Sequence, residues 1–245
     1  MPGMRIVAIV QARMGSTRLK GKVMMDLGGE PMLVRCINRL SRARTLSETV
    51  VATTTRGRDD AIARVCSTRA WPCFRGSEHD LLDRYYQAAL AFKADAVVRI
   101  TSDCPLIEPS IVDILVTKFR KERLNTDYVS TSIPKRTFPR GLEAEIMSMD
   151  ALERAWKEDR NPAWREHVTP YIYRNPSDFR IDGVSCANDW SYMRWTVDTA
   201  ADLAFVRKIY NSFDDDHFTW EEVIRLLEMN PDWLEINRHV KQKTI

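Results

Sequence analysis

The chain has 245 residues, enough for one large α/β domain, and its 44% hydrophobic content fits a globular fold rather than a disordered chain. With 37 basic against 34 acidic residues the net charge is only +3, which speaks against a nucleic-acid-binding face and requires any phosphate site to be local. Five cysteines, at 36, 66, 73, 104 and 186, contain no C-x-x-C pair, which argues against a disulfide framework or zinc centre and for a reducing cytoplasm.

The first element, residues 5–12, is short, apolar and rich in β-branched side chains, so it reads as a buried strand; it is too short for a signal peptide or a membrane span. No other uninterrupted apolar run is long enough to cross a bilayer. A polar loop runs from Arg13 to Lys22, and Pro31 then opens a helix with Leu33, Ile37 and Leu40 on one face. Glu48 to Thr54 is the second strand, and Asp59 and Asp60 suit the start of the next helix. A helix over 80–93 carries Leu81, Tyr85, Ala89 and Phe92 on one stripe, and a strand from Ala96 to Thr101 runs into Ser102-Asp103-Cys104-Pro105. Ile111, Leu115 and Phe119 mark a further helix. This alternation predicts a parallel sheet covered by helices. Residues 126–186 interrupt it with five prolines (134, 139, 162, 170 and 176) and one strand at Leu142 to Met147, and read as an insertion. Strand-like residues Met193 to Val197 and helices near 199–212 and 219–229 complete the core.

In open α/β sheets a ligand sits beyond the carboxyl ends of the strands, where the loop after residue 11 lies. Its small residues let backbone N–H groups approach a phosphate, and Arg13, Arg18, Lys20 and Lys22 supply cations. Neither G-x-G-x-x-G nor G-x-x-x-x-G-K-[ST] occurs, which disfavours a Rossmann dehydrogenase and a P-loop NTPase. By spacing alone, a solvated basic loop is an equal alternative. Asp103 and Asp198, each after a strand, are candidate Mg2+ ligands, because Mg2+ takes carboxylates together with phosphate oxygens; helix capping is the alternative for both. Asp202 reads as structural, and Cys104 as a small buried residue.

The segment Gln11-Ala12-Arg13, with Ser16, Arg18-Leu19 and Lys22, followed by Leu27-Gly28-Gly29-Glu30-Pro31, resembles the opening of the cytidylyltransferase superfamily, which includes the enzymes that activate sialic acids and Kdo. The resemblance is nearest to the spore-coat polysaccharide biosynthesis protein F family. It extends through Val51 to Thr54, Arg75-Gly76-Ser77-Glu78, Asp83 to Tyr86, Thr101 to Ile107, Arg165 to Pro170 and Arg194 to Asp198. Lys20, Glu30 and Ser102 depart from the family's usual Pro, Lys and Gly.

The resemblance implies a three-layer α/β/α Rossmann-like sheet, mostly parallel, in a single domain 1–245, with 126–186 binding the acceptor and pairing two copies. It implies transfer of CMP from CTP to an acidic or phosphorylated sugar-like acceptor, with release of pyrophosphate, in surface polysaccharide or glycoconjugate precursor synthesis. Arg13 and Lys22 would neutralise the triphosphate, and Asp103 and Asp198 would hold Mg2+. Gln11 and Ala12, through their backbone, would read cytosine together with Arg75, Gly76 and Ser77, with Ser16 also at the nucleotide. Thr53 and Arg84 either line this site or are a strand-end hydroxyl and a surface arginine. Arg140, Glu143, Glu145, His167 and Arg194 are the acceptor candidates; a structural role for His167 at a dimer contact is equally open. Trp156, Trp164, Tyr171 and Tyr173 pack the arm or a partner surface. The expectation is a cytoplasmic homodimer that binds neither nucleic acid nor membrane. A nucleotide-sugar glycosyltransferase and a non-catalytic nucleotide-binding protein are the competing readings.

Overall fold

β1 (Ile6–Gln11) is buried on both faces, which is why its sequence is a continuous apolar run rather than an alternating one. In the computed structural model, which describes residues 3–122 and 124–242, it lies inside a seven-stranded sheet. The other strands are β2 (Glu48–Thr54), β3 (Cys73–Gly76), β4 (Ala96–Thr101), β5 (Tyr128–Ser130), β6 (Glu145–Ser148) and β7 (Ile181–Gly183), in the order β3-β2-β1-β4-β6-β5-β7. β3, β2, β1 and β4 are mutually parallel; β6 runs antiparallel to both β4 and β5, and β7 is parallel to β5.

Ile6, Ala8 and Val10 face a core shared with α1 (Met32–Leu40), α2 (Asp60–Thr68), α4 (Pro109–Lys121), α8 (Ala200–Tyr210) and α9 (Trp220–Met229). Val7 and Ile9 face the opposite core, with α3 (Leu81–Ala91), α5 (Met149–Glu158) and the one-turn α7 (Pro170–Tyr173). The result is the three-layer α/β/α sandwich expected. Another one-turn helix, α6 (Pro162–Arg165), lies on the α3 side. No helix among the described residues is long and apolar enough to cross a membrane.

The expected elements shift in three places. The strand anticipated over 142–147 begins only at Glu145: Gly141, at φ 110°, turns the chain, its N–H donates to Glu143 Oε2 at 2.5 Å, and Ala144 N donates to Thr131 Oγ1. Met193 to Val197 is buried but, among the described residues, joins no strand of the sheet; its one ladder contact there is the bridge between Arg140 and Arg194. Residues 126–186 supply β5, β6 and β7 to the main sheet, so the prolines mark its connections and not a separate appendage. The aromatic residues of this segment are used within the chain: Trp156 stacks on Tyr86 at 4.2 Å and donates to Asp83, while Trp164 and Tyr171 meet edge to face.

Candidate active site

The chain passes from β1 outward to β2 and β3, then returns to the other side of β1 as β4. Loops leaving the carboxyl ends of β1 and β4 therefore diverge, and a crevice opens between them. It holds a cavity of about 390 Å³ lined by Gln11, Ala12, Arg13, Ser16, Thr17, Arg18, Lys22 and Val23 from the first loop, by Thr101, Ser102 and Asp103 from the end of β4, and by Asp198. Glu78, His79, Leu81 and Arg84 form another wall, and Glu166 and His167 reach it from the arm.

The first loop is a built turn. Met14 N donates to Asp59 Oδ1 at 2.7 Å, Gly21 N to Met14 O at 3.0 Å, and Gly21 takes the left-handed φ of 68°. This returns the chain inward and buries Lys22, whose Nζ donates to Asp103 Oδ2 at 2.7 Å, Asp198 Oδ1 at 2.9 Å and Val197 O at 2.8 Å. Burial alone would lower the Lys22 pKa, but Asp103 and Asp198 outweigh it and hold the ammonium above the ordinary lysine value. Asp103 is the counterpart: burial raises its pKa, Lys22 lowers it further, and the carboxylate stays ionised. Asp198 also receives Arg18 at 2.7 Å and Arg194 Nη2 at 2.8 Å.

Neither aspartate caps a helix. Thr199 caps α8 in a reciprocal box with Asp202, and Glu108 caps α4. The structural reading holds for Asp202, which also binds Arg194 and Asn237. Burial pushes the Cys36 thiol up to about 12 and raises Cys104 further, which leaves both unreactive near neutral pH.

Some of the groups expected at the nucleotide are engaged within the protein or stand outside the cavity lining. The Ala12 N–H is committed to Ala52 O at 3.1 Å and the Gln11 carbonyl accepts from Ser102 N, so the sheet consumes part of the backbone expected to read a base. Thr53 is fully buried in β2 and does not line this cavity. Arg75, Gly76 and Ser77 also stand outside the lining: Arg75 donates to Thr54 O, Arg56 O and Asp60, and Ser77 Oγ accepts from Asp80 N. Arg84 lines the cavity, is buried rather than on a helix surface, donates to Ser77 O at 2.8 Å and has its pKa lowered by burial to about 10. Glu78, quoted above only as part of the Arg75-Gly76-Ser77-Glu78 motif, and His79 were given no role by sequence reading, which expected no strand over 73–76 and so could not place them at a strand's carboxyl end.

A second cavity, of about 290 Å³, shares Thr101 and His167 with the first. Its walls carry the hydroxyls of Tyr128, Ser130, Ser132, Thr169 and Tyr173, with Arg99, Arg136, Glu143 and Glu145. Each carboxylate is matched: Glu143 contacts Arg136, and Glu145 accepts from Arg99 at 2.5 Å, Thr169 at 3.0 Å and the Tyr128 phenol. His167 reaches the junction because Arg165 is pinned by Asp80, Trp156 O and Asp159 O, and because buried Val168 adopts φ 70°, which a β-branched residue rarely does. Arg140 and Arg194 line neither cavity; Arg194 is engaged with Asp198 and Asp202, and the Arg140 backbone anchors Met193 and Trp195.

The family model for cytidylyltransferases matches residues 7–242. The chain belongs to the cytidylyltransferase family. It is a CTP-dependent nucleotidyltransferase. An uncharacterized protein of Methanocaldococcus jannaschii is 38% identical over 98% of both chains. The spore coat polysaccharide biosynthesis protein SpsF of Bacillus subtilis is 28% identical over 93% of this cytidylyltransferase and 95% of its own length. A solved cytidylyltransferase structure from Leptospira borgpetersenii superposes with a TM-score of 0.92 at 31% identity, covering 99% of this chain and 100% of that one.

Proposed function

We propose that this cytidylyltransferase transfers CMP from CTP to an acidic or phosphorylated sugar-like acceptor in the synthesis of surface polysaccharide or glycoconjugate precursors. The observation that carries the reading is the pair of cavities meeting at Thr101 and His167: one is lined by cations and paired aspartates, the other by hydroxyls. Two relatives point the same way by name. One is the Bacillus subtilis spore coat polysaccharide protein; the other is the 3-deoxy-manno-octulosonate cytidylyltransferase of Trichlorobacter lovleyi, 34% identical over 117 residues, or 47% of this chain.

In this reading CTP occupies the first cavity with its triphosphate against Arg13, Arg18 and Lys22. The acceptor's body lies in the second cavity, with its reacting oxygen at the junction. That oxygen forms a bond to the α-phosphorus, the bond from the α-phosphorus to the bridging oxygen breaks, and pyrophosphate leaves; the acceptor proton passes to His167 or solvent. Catalysis is alignment and charge neutralisation, with no covalent enzyme intermediate. Asp103 and Asp198 are the residues that would hold Mg2+. They fit it because both carboxylates already converge on one cationic atom, Lys22 Nζ, and two carboxylates completed by phosphate oxygens and water are a usual Mg2+ donor set. When bound, Mg2+ supplies neutralisation of the phosphate oxygens. Arg99 and Arg136 hold Glu145 and Glu143 in place, so these carboxylates shape the acceptor pocket through their partners. The enzyme is proposed to act in the cytoplasm as a homodimer.

The test is pyrophosphate release from CTP, ATP, GTP and UTP against a panel of sugar acids and sugar phosphates. The expected result is release that requires CTP, Mg2+ and one acceptor class. Release independent of any acceptor, or transfer from a nucleotide-sugar with no release from CTP, overturns the reading.

A further inference from the structure

We propose that Lys22 is the resident counter-ion of the Asp103–Asp198 pair, so that the site admits a divalent cation only together with the triphosphate. The inference rests on the reading in which those carboxylates hold the metal. All three protons of the Lys22 ammonium are directed at oxygens, those of Asp103, Asp198 and the Val197 carbonyl, at 2.7, 2.9 and 2.8 Å. The Asp198 oxygen that accepts from Lys22 also meets Arg18 at 2.7 Å, and its other oxygen accepts from Arg194 at 2.8 Å. Every oxygen of Asp198, and the inner oxygen of Asp103, is therefore taken by a cation of the chain itself.

Charge makes this arrangement exclusive. Asp103, Asp198 and Asp202 are matched one for one by Lys22, Arg18 and Arg194. A bare divalent ion would add two uncompensated positive charges where the Lys22 and Asp198 side chains are only 10% and 8% exposed, and, although the outer oxygen of Asp103 is open to the cavity, it would have to break these ion pairs to reach Asp198 and be held by both carboxylates. A triphosphate removes both obstacles, because it brings its own negative charge and offers Lys22 and Arg18 new acceptors in the same cavity. Arg194 stays where it is, locked to Asp202, whose carboxylate also takes Asn237. The exchange falls to Lys22, whose flexible four-carbon stem lets the ammonium swing from carboxylate to phosphate. Metal and nucleotide then bind with reciprocal positive coupling.

Mn2+, read by its electron paramagnetic resonance signal, serves as the probe. Nucleotide-free wild type is expected to bind it weakly. Lys22→Met and Lys22→Gln, checked for folding by their melting transitions, are expected to bind it about tenfold more tightly or better without nucleotide, as removal of a competing cation requires. Adding Asp103→Asn to Lys22→Met should remove the gain. No gain in either folded Lys22 variant overturns the inference. So does nucleotide-free wild type that holds Mn2+ as tightly as the CTP complex, a measurement that needs no variant. A parallel arm compares CTP-bound wild type with CTP-bound Asp103→Asn. Mn2+ retained by the first and lost by the second, with no gain in the Lys22 variants, sinks the counter-ion role alone. Mn2+ binding to the CTP complex that does not depend on Asp103 takes down the metal reading and the inference with it.

Discussion

Asp103 and Asp198 share one ammonium but not one environment. The Asp103 side chain is 26% exposed and faces the cavity, whereas Asp198 is 8% exposed and holds three cations. Asparagine at either position keeps the size and removes the charge, so both substitutions are expected to slow pyrophosphate release by about two to three orders of magnitude. Asp103→Asn should lower the melting temperature only modestly, because Lys22 loses one of its two carboxylates but keeps Asp198. Asp198→Asn should lower it as well, because Arg18, Arg194 and Lys22 lose a buried counter-charge. Melting and turnover measured on the same two proteins decide the matter; normal turnover in both would remove the metal assignment. The acid limb of stability belongs to this scale too. Burial raises the Asp202 pKa, but the Arg194 guanidinium and the Asp198 N–H outweigh it and bring it below the ordinary 3.8. A depressed carboxylate stabilises the fold fully above its unfolded value and loses that contribution as pH falls through the folded value. Melting temperature should therefore fall below about pH 4 in wild type, and less steeply in Asp202→Asn.

Among the elements, the turn at Gly141 carries more of the site than its length suggests. A β-carbon there would stand 2.6 Å from Thr196 N and 2.7 Å from the Trp195 carbonyl carbon, on a backbone already at φ 110°. Gly141→Ala is expected to destabilise the fold by more than the ~1 kcal/mol of an ordinary glycine replacement, and to slow turnover by displacing Glu143 and the 193–198 segment. A variant with wild-type melting and wild-type rate would show that the segment relaxes freely. The same segment marks the limit of what the sequence discloses. β1, β2 and β4, with the helices between them, were readable because each has one dominant period and a buried face. Asp103 and the Lys22 loop were readable because they sit where such strands end. Met193 to Val197 has the composition of a strand, but its backbone pairs with one residue of the Gly141 turn, and no local pattern encodes that. The Arg99–Glu145–Tyr128 cluster draws on three strands, and the strain at Val168 depends on how the arm is pinned, so neither has a local signature either.

At the scale of the whole molecule, the charge of the second cavity constrains the acceptor. Arg99 and Arg136 already contact Glu145 and Glu143, so an anionic group at the far end of the acceptor would meet two carboxylates and compete with them for those guanidiniums. Acceptors with a free hydroxylated distal chain should be used at least tenfold better, as kcat/KM, than the same compounds phosphorylated at that end, a margin of about 1.4 kcal/mol. A preference for the phosphorylated forms would contradict the pocket assignment. Light scattering at micromolar concentration should give a mass near twice the 28.4 kDa chain if two copies pair; a monomeric active enzyme would refute the dimer.

The sheet order also dictates when the protein becomes competent during its own synthesis. A ribosome delivers β1 to β4 and the cationic loop early, yet β5, though it packs on α4, has no place in that sheet until β6, made later, slots between β4 and β5. Asp198 emerges later still, after β7. A nascent chain can thus form the parallel half of the sheet while Lys22 still lacks one of its two carboxylates. Ligand capture is deferred until residue 198 has emerged, and a product truncated before residue 198 should fail to retain CTP even where its early strands have paired.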